Sequence, residues 1–367
     1  MERLKPNFAV KFDRTDAMLA VALAVVVGSY ALGYKLDWSQ LDAAPADEAS
    51  VVPAPAATPF QRPREPFPAA PATAEIAPRP QPVMVQAPSD ATWDEMVREL
   101  DVLAAGRHAR VAVYLKDLKS GREWAYHPDD LFPSASLIKV PVMCAAFYKI
   151  RDGGLSLHTT LTLRRHNRVG GSGSLKWAPD GSKYTVRQLL DHMIAESDNT
   201  ATNMMIEAVG MGYIQQIFPR MGLLYTGIYQ DGMSIKGGRV AHENYTTARE
   251  MTMLMEKIYR GEMVDEPSSV VMMNILKDKR PPSRLSKGLP SGWEIAHKTG
   301  LLRQACHDSA VFFTPRGDYA MTVLTGSNGS YHDAKDFITK LGHITFVHYG
   351  GYPRYYARAS RRHLAMR

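Results

Sequence analysis

Twelve of the chain's 24 prolines fall in residues 43–88, mixed with alanine and with no apolar periodicity. Proline has no backbone N–H and a fixed φ, so such a stretch neither propagates a helix nor sits inside a sheet. An extended, semi-rigid spacer is the expected form. The 367 residues are thereby divided. Any packed core must lie after the spacer, in residues 92–350, and whatever precedes the spacer stands apart from that core.

Residues 1–16 are polar and carry Arg3, Lys5, Lys11 and Arg14. Residues 17–34, AMLAVALAVVVGSYALGY, hold no charge and are bracketed by Asp16 and Lys35. At about 1.5 Å per residue this segment spans ~27 Å as a helix, near the hydrocarbon thickness of a bilayer. A cleaved signal peptide is the rival, but no small-x-small site is cleanly placed after the run, which favours an uncleaved transmembrane anchor. The basic flank puts residues 1–16 in the cytoplasm. The linker, residues 35–91, and all that follows are then expected on the periplasmic (extracytoplasmic) side of the cytoplasmic (inner) membrane, held by a single pass.

The net charge of +7 is unevenly placed. Arg354, Arg358, Arg361, Arg362 and Arg367 lie in a basic tail, residues 351–367, which contains no acid. The remainder is only mildly basic, so nucleic acid is excluded as the main partner. The tail reads as a solvated terminus, with contact to anionic lipid or polymer as the alternative. Cys144 and Cys306 are too few and too far apart for a metal cluster, and no metal or cofactor is called for. A disulfide between them and two buried free thiols both remain open.

Within the foldable part, Trp93, Met96, Val97, Leu100 and Leu103 recur at helical spacing. Residues 110–118 alternate apolar and polar, and Lys119-Ser120-Gly121 turns the chain into residues 122–127, a β-hairpin. Helices are expected at 186–194, 201–209 and 247–259, with a loop over 223–244. Strands are expected at 293–297, 308–314 and 319–324, and a closing helix at 331–346. Strands at both ends with helices between predict an α/β (α+β) domain: an antiparallel sheet flanked by helices, plus an all-helical subdomain.

Chemistry concentrates in three patterns. Ser136 opens an apolar run, and Lys139 follows three residues later on the same helical face. No other serine in the chain has a lysine at that spacing. A hydroxyl and an amine so placed can act as nucleophile and proton acceptor, provided burial or a neighbouring cation lowers the lysine pKa. Ser197-Asp198-Asn199 lies between two helical stretches, where such residues also suit caps. Lys298-Thr299-Gly300 follows a strand. Each pattern alone has a bland account: a cap and a surface lysine, a helix start, a strand end.

Taken in order, the three patterns resemble the set found in class A β-lactamases and penicillin-binding proteins. Phe132-Pro133 before the serine, Gly170-Gly171-Ser172-Gly173 in the intervening loop and Asn244-Tyr245-Thr246-Thr247 before a helix extend the resemblance over residues 92–350. It implies a serine hydrolase fold in which Ser136 forms an acyl-enzyme and Lys139, if neutral, takes its proton. Ser197 would relay a proton to a leaving nitrogen, and Asn199 would orient the substrate amide. Lys298 and Thr299 would hold a substrate carboxylate, Lys298 also depressing the Lys139 pKa. Gly300 would let the ligand approach the strand edge, and the Leu301 N–H would join that of Ser136 in an oxyanion hole. Asp198 reads as structural. His307 is weighed as a substrate contact but needs no catalytic role.

One departure stands out. Class A β-lactamases deacylate through a glutamate in the loop before the helix that starts here near Thr247. Counting back about thirteen places from Tyr245 reaches Gly232, with Asp231 beside it and no glutamate. A carboxylate displaced by an ångström can lose about a hundredfold in rate. Asp231 is therefore either a substitute base or a turn-forming Asp-Gly. Slow deacylation is expected, with a small β-lactam or peptidoglycan-type substrate and a monomeric catalytic domain. A D-Ala-D-Ala carboxypeptidase or transpeptidase is the near alternative; a non-catalytic cell-wall binder is the distant one.

Overall fold

The computed structural model describes residues 90–229, 242–277, 282–289, 294–314 and 316–350. The apolar segment 17–34, linker residues 35–89, Asp231 and the basic tail lie outside the described residues. Among the described residues no helix is long and apolar enough to cross a membrane.

Helix α1 (Asp90–Ala105) buries Trp93, Met96 and Leu100 on one stripe. Strands β1 (Arg110–Asp117) and β2 (Glu123–Tyr126) make the expected hairpin. After β3 (Phe132–Pro133), a 3-10 turn, Ala135–Ile138, runs straight into helix α2 (Lys139–Arg151). Pro141 falls in the first turn of α2, where a missing N–H breaks no intrahelical bond. Strands β4 (Thr160–Thr162) and β5 (Lys183–Thr185) pair with each other and lead into the helices α3 (Val186–Ala195), α4 (Asn199–Val209) and α5 (Met211–Met221). Next come β6 (Tyr245–Thr246), which pairs with β3, then α6 (Ala248–Tyr259) and α7 (Glu266–Leu276). The chain returns as β7 (Glu294–Leu301), β8 (Cys306–Phe313) and β9 (Tyr319–Gly326) and closes with α8 (Tyr331–Tyr349).

The main sheet has the order β2-β1-β9-β8-β7, antiparallel throughout, with β7 on an edge. Period-2 alternation sorts its two faces. Val111, Val113 and Leu115 of β1 pack with α1 and α8, while Ala112 and Tyr114 pack with the helical subdomain. Helix α2 is the axis of that subdomain, with every residue from Lys139 to Phe147 buried. Each buried aliphatic or aromatic side chain there contributes about 1.5–3 kcal/mol. This apolar burial carries the Lys139 amine into the interior.

Two features depart from the sequence reading. Apolar periodicity does not mark α5, because Gly210, Gly222 and Pro219 look like breakers; the glycines prove to be its caps and the proline lies in its last turn. Strand β7 continues past His297 to Leu301, four residues beyond the expected end, so Lys298, Thr299 and Gly300 are strand residues. Both cysteines are buried free thiols, Cys144 among the helices and Cys306 on the other face of the sheet, and burial pushes the Cys144 thiol pKa up.

Candidate active site

Ser136 is half-buried in the 3-10 turn that precedes α2, and Lys139 is the first residue of the helix proper. In a 3-10 turn residues three apart eclipse, so the spacing places both side chains on one side of the turn. Ala135 adopts φ +48°, a left-handed conformation that is unfavourable for a side chain with a Cβ. Tethers hold the turn in that state. Ser134 N–H donates to the Asn244 carbonyl at 2.6 Å, and Phe132 and Pro133 pair with Thr246 and Tyr245. Arg249 forms a two-pronged ion pair with Asp129 at 2.8 and 2.9 Å.

Lys139 is fully buried. Its Nζ donates to the Ser197 carbonyl, to Asn199 Oδ1 at 2.7 Å and to Ser197 Oγ at 3.2 Å. Burial lowers its pKa to about 7, with the nearby Asp198 carboxylate opposing the shift. The sequence allows burial or the neighbouring Lys298 cation as the cause; the largest cause is loss of water. A lysine so placed is substantially neutral near pH 7 and can accept a proton.

Ser197, at φ +55°, links the α3 and α4 ends. Besides the Lys139 contact, its hydroxyl accepts from Lys298 Nζ at 3.0 Å, so one oxygen connects the two amines. Asp198 caps α4: Oδ1 accepts from Ala201 N–H and Oδ2 from Leu175 N–H, both at 2.8 Å. Its carboxylate is thus fully used in structure. Asn199 holds Lys139 through Oδ1 and the Gly170 carbonyl through Nδ2 at 2.8 Å. Its side chain is therefore committed to the lysine and a loop, not poised only for a substrate amide.

That loop is a part of the site whose role the sequence reading missed. Asn199 N–H donates to the Ser172 carbonyl at 3.1 Å. Gly173 lies so close to Asp198 that a Cβ on it would fall 2.1 Å from the carboxylate carbon, and its φ is +98°. Only glycine fits there.

On the facing side, Lys298 is fully buried in β7, and its Nζ also donates to the Thr299 carbonyl at 2.9 Å. Thr299 is half-buried and Leu301 is exposed. Leu302 and Ala305 exchange backbone hydrogen bonds at 2.9 and 3.4 Å. Antiparallel pairs alternate, so Leu301 opposite Cys306 is a non-hydrogen-bonded pair, and its N–H points away from β8 to the sheet edge. The Ser136 turn packs against that edge: a Cβ on Gly300 would lie 3.1 Å from Ala135 Cβ and 3.3 Å from the Ser134 carbonyl oxygen. His307 is fully buried behind Gly300, which removes it as a substrate contact. The structure thus brings Lys139, Ser197, Asn199 and Lys298 into contact and sets the turn that carries Ser136 against the strand that carries Lys298, Thr299, Gly300 and Leu301. Asp231 lies outside the described residues.

Residues 95–349 match the family described as the beta-lactamase enzyme family. The extended-spectrum beta-lactamase PER-1 of Pseudomonas aeruginosa is 23% identical over 212 residues, covering 55% of this chain and 68% of that protein. A beta-lactamase of Streptomyces albus G is 28% identical over 240 residues, covering 62% and 76% respectively. Among solved structures, a mutant of PBP-A in an acyl-enzyme complex with penicillin G superposes with a TM-score of 0.63 at 27% identity, covering 71% of this chain and 97% of that one.

Proposed function

The chain belongs to the beta-lactamase enzyme family, as a class A-like serine hydrolase with an acyl-enzyme mechanism and β-lactams as its substrate class, and from that premise we propose how its residues work and where it acts. Ser136 Oγ attacks the β-lactam carbonyl carbon, while neutral Lys139 accepts the hydroxyl proton. The oxyanion is held by the N–H groups of Ser136 and Leu301, each such donor being worth about 3 kcal/mol in the transition state. Ser197 passes a proton to the departing ring nitrogen, drawing on the amines at 3.2 and 3.0 Å on either side of it. Lys298 and Thr299 receive the substrate carboxylate. Asn199 holds Lys139 in place and presents the Gly170 loop.

Acylation on this account outruns deacylation. The segment 230–241, QDGMSIKGGRVA, has no glutamate and a single carboxylate, Asp231. The observation that carries the proposal is the link from the buried Lys139 to the buried Lys298 through the Ser197 hydroxyl, which equips acylation, together with that glutamate-free segment. The test is intact-protein mass followed over time after one equivalent of penicillin. A covalent adduct that forms quickly and persists for many minutes supports the account; an adduct that clears within seconds refutes slow deacylation.

A peptidase acting on D-Ala-D-Ala ends is the second reading, favoured by the same glutamate-free segment. Release of D-alanine from a D-Ala-D-Ala peptide decides between them. The uncharged segment 17–34 and the proline-rich linker support an enzyme tethered outside the cytoplasmic membrane. Membrane fractionation of the full chain, with and without residues 1–34, tests that placement.

A further inference from the structure

His307 is fully buried in β8, directly opposite Gly300 of β7. Both ring nitrogens are engaged. Nδ1 accepts the Thr325 N–H at 3.2 Å, and Nε2–H donates to the Pro133 carbonyl at 2.8 Å. A backbone amide can only donate and a carbonyl can only accept, so the two partners fix the neutral Nε2–H tautomer. Burial holds the pKa down to about 4, well below the range in which Lys139 titrates. The Phe132 ring stands perpendicular to it, with centroids 6.2 Å apart.

The Pro133 carbonyl has a particular place in the chain. It is the acceptor that the Ser136 N–H would take if the 3-10 turn began one residue earlier. The first bond of the turn runs instead from Leu137 N–H to the Ser134 carbonyl at 3.0 Å. The Pro133 oxygen accepts from His307 instead, and the Ser136 N–H is among the donors that open a helical segment. It stands beside the strand edge to which Leu301 N–H points.

We propose that His307 is a positioning residue for acylation: by holding the Pro133 carbonyl it fixes the segment that leads into the nucleophile turn and seats that turn against β7, so that the Ser136 and Leu301 amides act together as the oxyanion hole. His307 touches no substrate. This inference rests on Ser136 being the nucleophile, as argued above.

Two replacements separate its contacts. His307→Gln keeps a donor at the reach of Nε2, whereas His307→Asn can accept from Thr325 but falls short of Pro133. Stopped-flow acylation by a fluorescent penicillin gives the acylation rate constant and the dissociation constant separately, and thermal melts report folding. His307→Gln is expected within about threefold of the parent rate, while His307→Asn is about ten- to a hundredfold slower at an unchanged dissociation constant. Both are expected to melt alike. Equal acylation by the two variants, or rates that merely follow melting temperature, would overturn the proposal. Imidazole nitrogen NMR of the unmodified protein gives a second reading that needs no variant: a neutral ring protonated at Nε2 supports the proposal, and an Nδ1–H tautomer or an imidazolium near pH 7 contradicts it. Failure of the parent protein to form any Ser136 adduct would instead remove the nucleophile assignment, a result distinguishable from variants that acylate normally.

Discussion

Lys139 holds Ser197 by two of its oxygens, the backbone carbonyl and the hydroxyl. The contact crosses from the first residue of α2 to the hinge between α3 and α4. It ties the base to the group that must later deliver a proton, while burial keeps the amine close to half-neutral at pH 7.

The pH dependence of acylation follows. Lys139 must be uncharged to accept a proton, and its pKa is lowered to about 7. The acylation rate constant should rise about tenfold per pH unit below 7 and level off above it. Lys139→Ala should remove the inflection and slow acylation by about 10²–10⁴-fold. Single-turnover measurements with a chromogenic cephalosporin between pH 5 and 9 check both.

Ser197→Ala leaves the backbone carbonyl contact to Lys139 but removes the oxygen shared with Lys298. Acylation should slow by about 10²-fold, with little change in melting temperature. Stopped-flow acylation and a thermal melt of the same preparation give the two numbers, and a variant as fast as the parent would exclude the relay.

Gly173 has no room for a methyl group beside Asp198. Gly173→Ala should displace the Asp198 cap and cost about 1–3 kcal/mol of stability, with acylation falling too because Asn199 moves. Urea denaturation measures the first effect. An unchanged midpoint would mean that the loop 170–177 yields freely.

Glu250 is buried at the start of α6, and its carboxylate accepts the N–H groups of Leu224, Tyr225 and Thr226 at 2.6 to 2.8 Å. It also accepts the Thr226 hydroxyl at 2.6 Å. Glu250→Ala should destabilise the fold by about 2–4 kcal/mol. Hydrogen exchange should accelerate first at the amides of residues 224–226, and unchanged protection there would contradict the assignment.

Much of the site was legible because its residues are clustered in short patterns. Ser136 and Lys139 announce themselves by spacing, and the alternation of Val111, Val113 and Leu115 with Ala112 and Tyr114 marks a strand with two packed faces. What escaped depends on pairings between distant segments. The Gly170 loop meets Asn199 through backbone carbonyls, which carry no side-chain signature. Strands β3 and β6 have two residues each, too few for periodicity. The fall in the Lys139 pKa comes from tertiary burial, which the sequence does not specify residue by residue. A lone histidine within a strand gives no sign that both its nitrogens are engaged, as those of His307 are.

The most direct test of the central claim is peptide mapping of the penicillin adduct by mass spectrometry, in the parent chain and in Ser136→Ala. The account predicts one acyl group per chain, located on the Ser136 hydroxyl and absent from the variant. An adduct on any other residue, or one that survives the substitution, would contradict it.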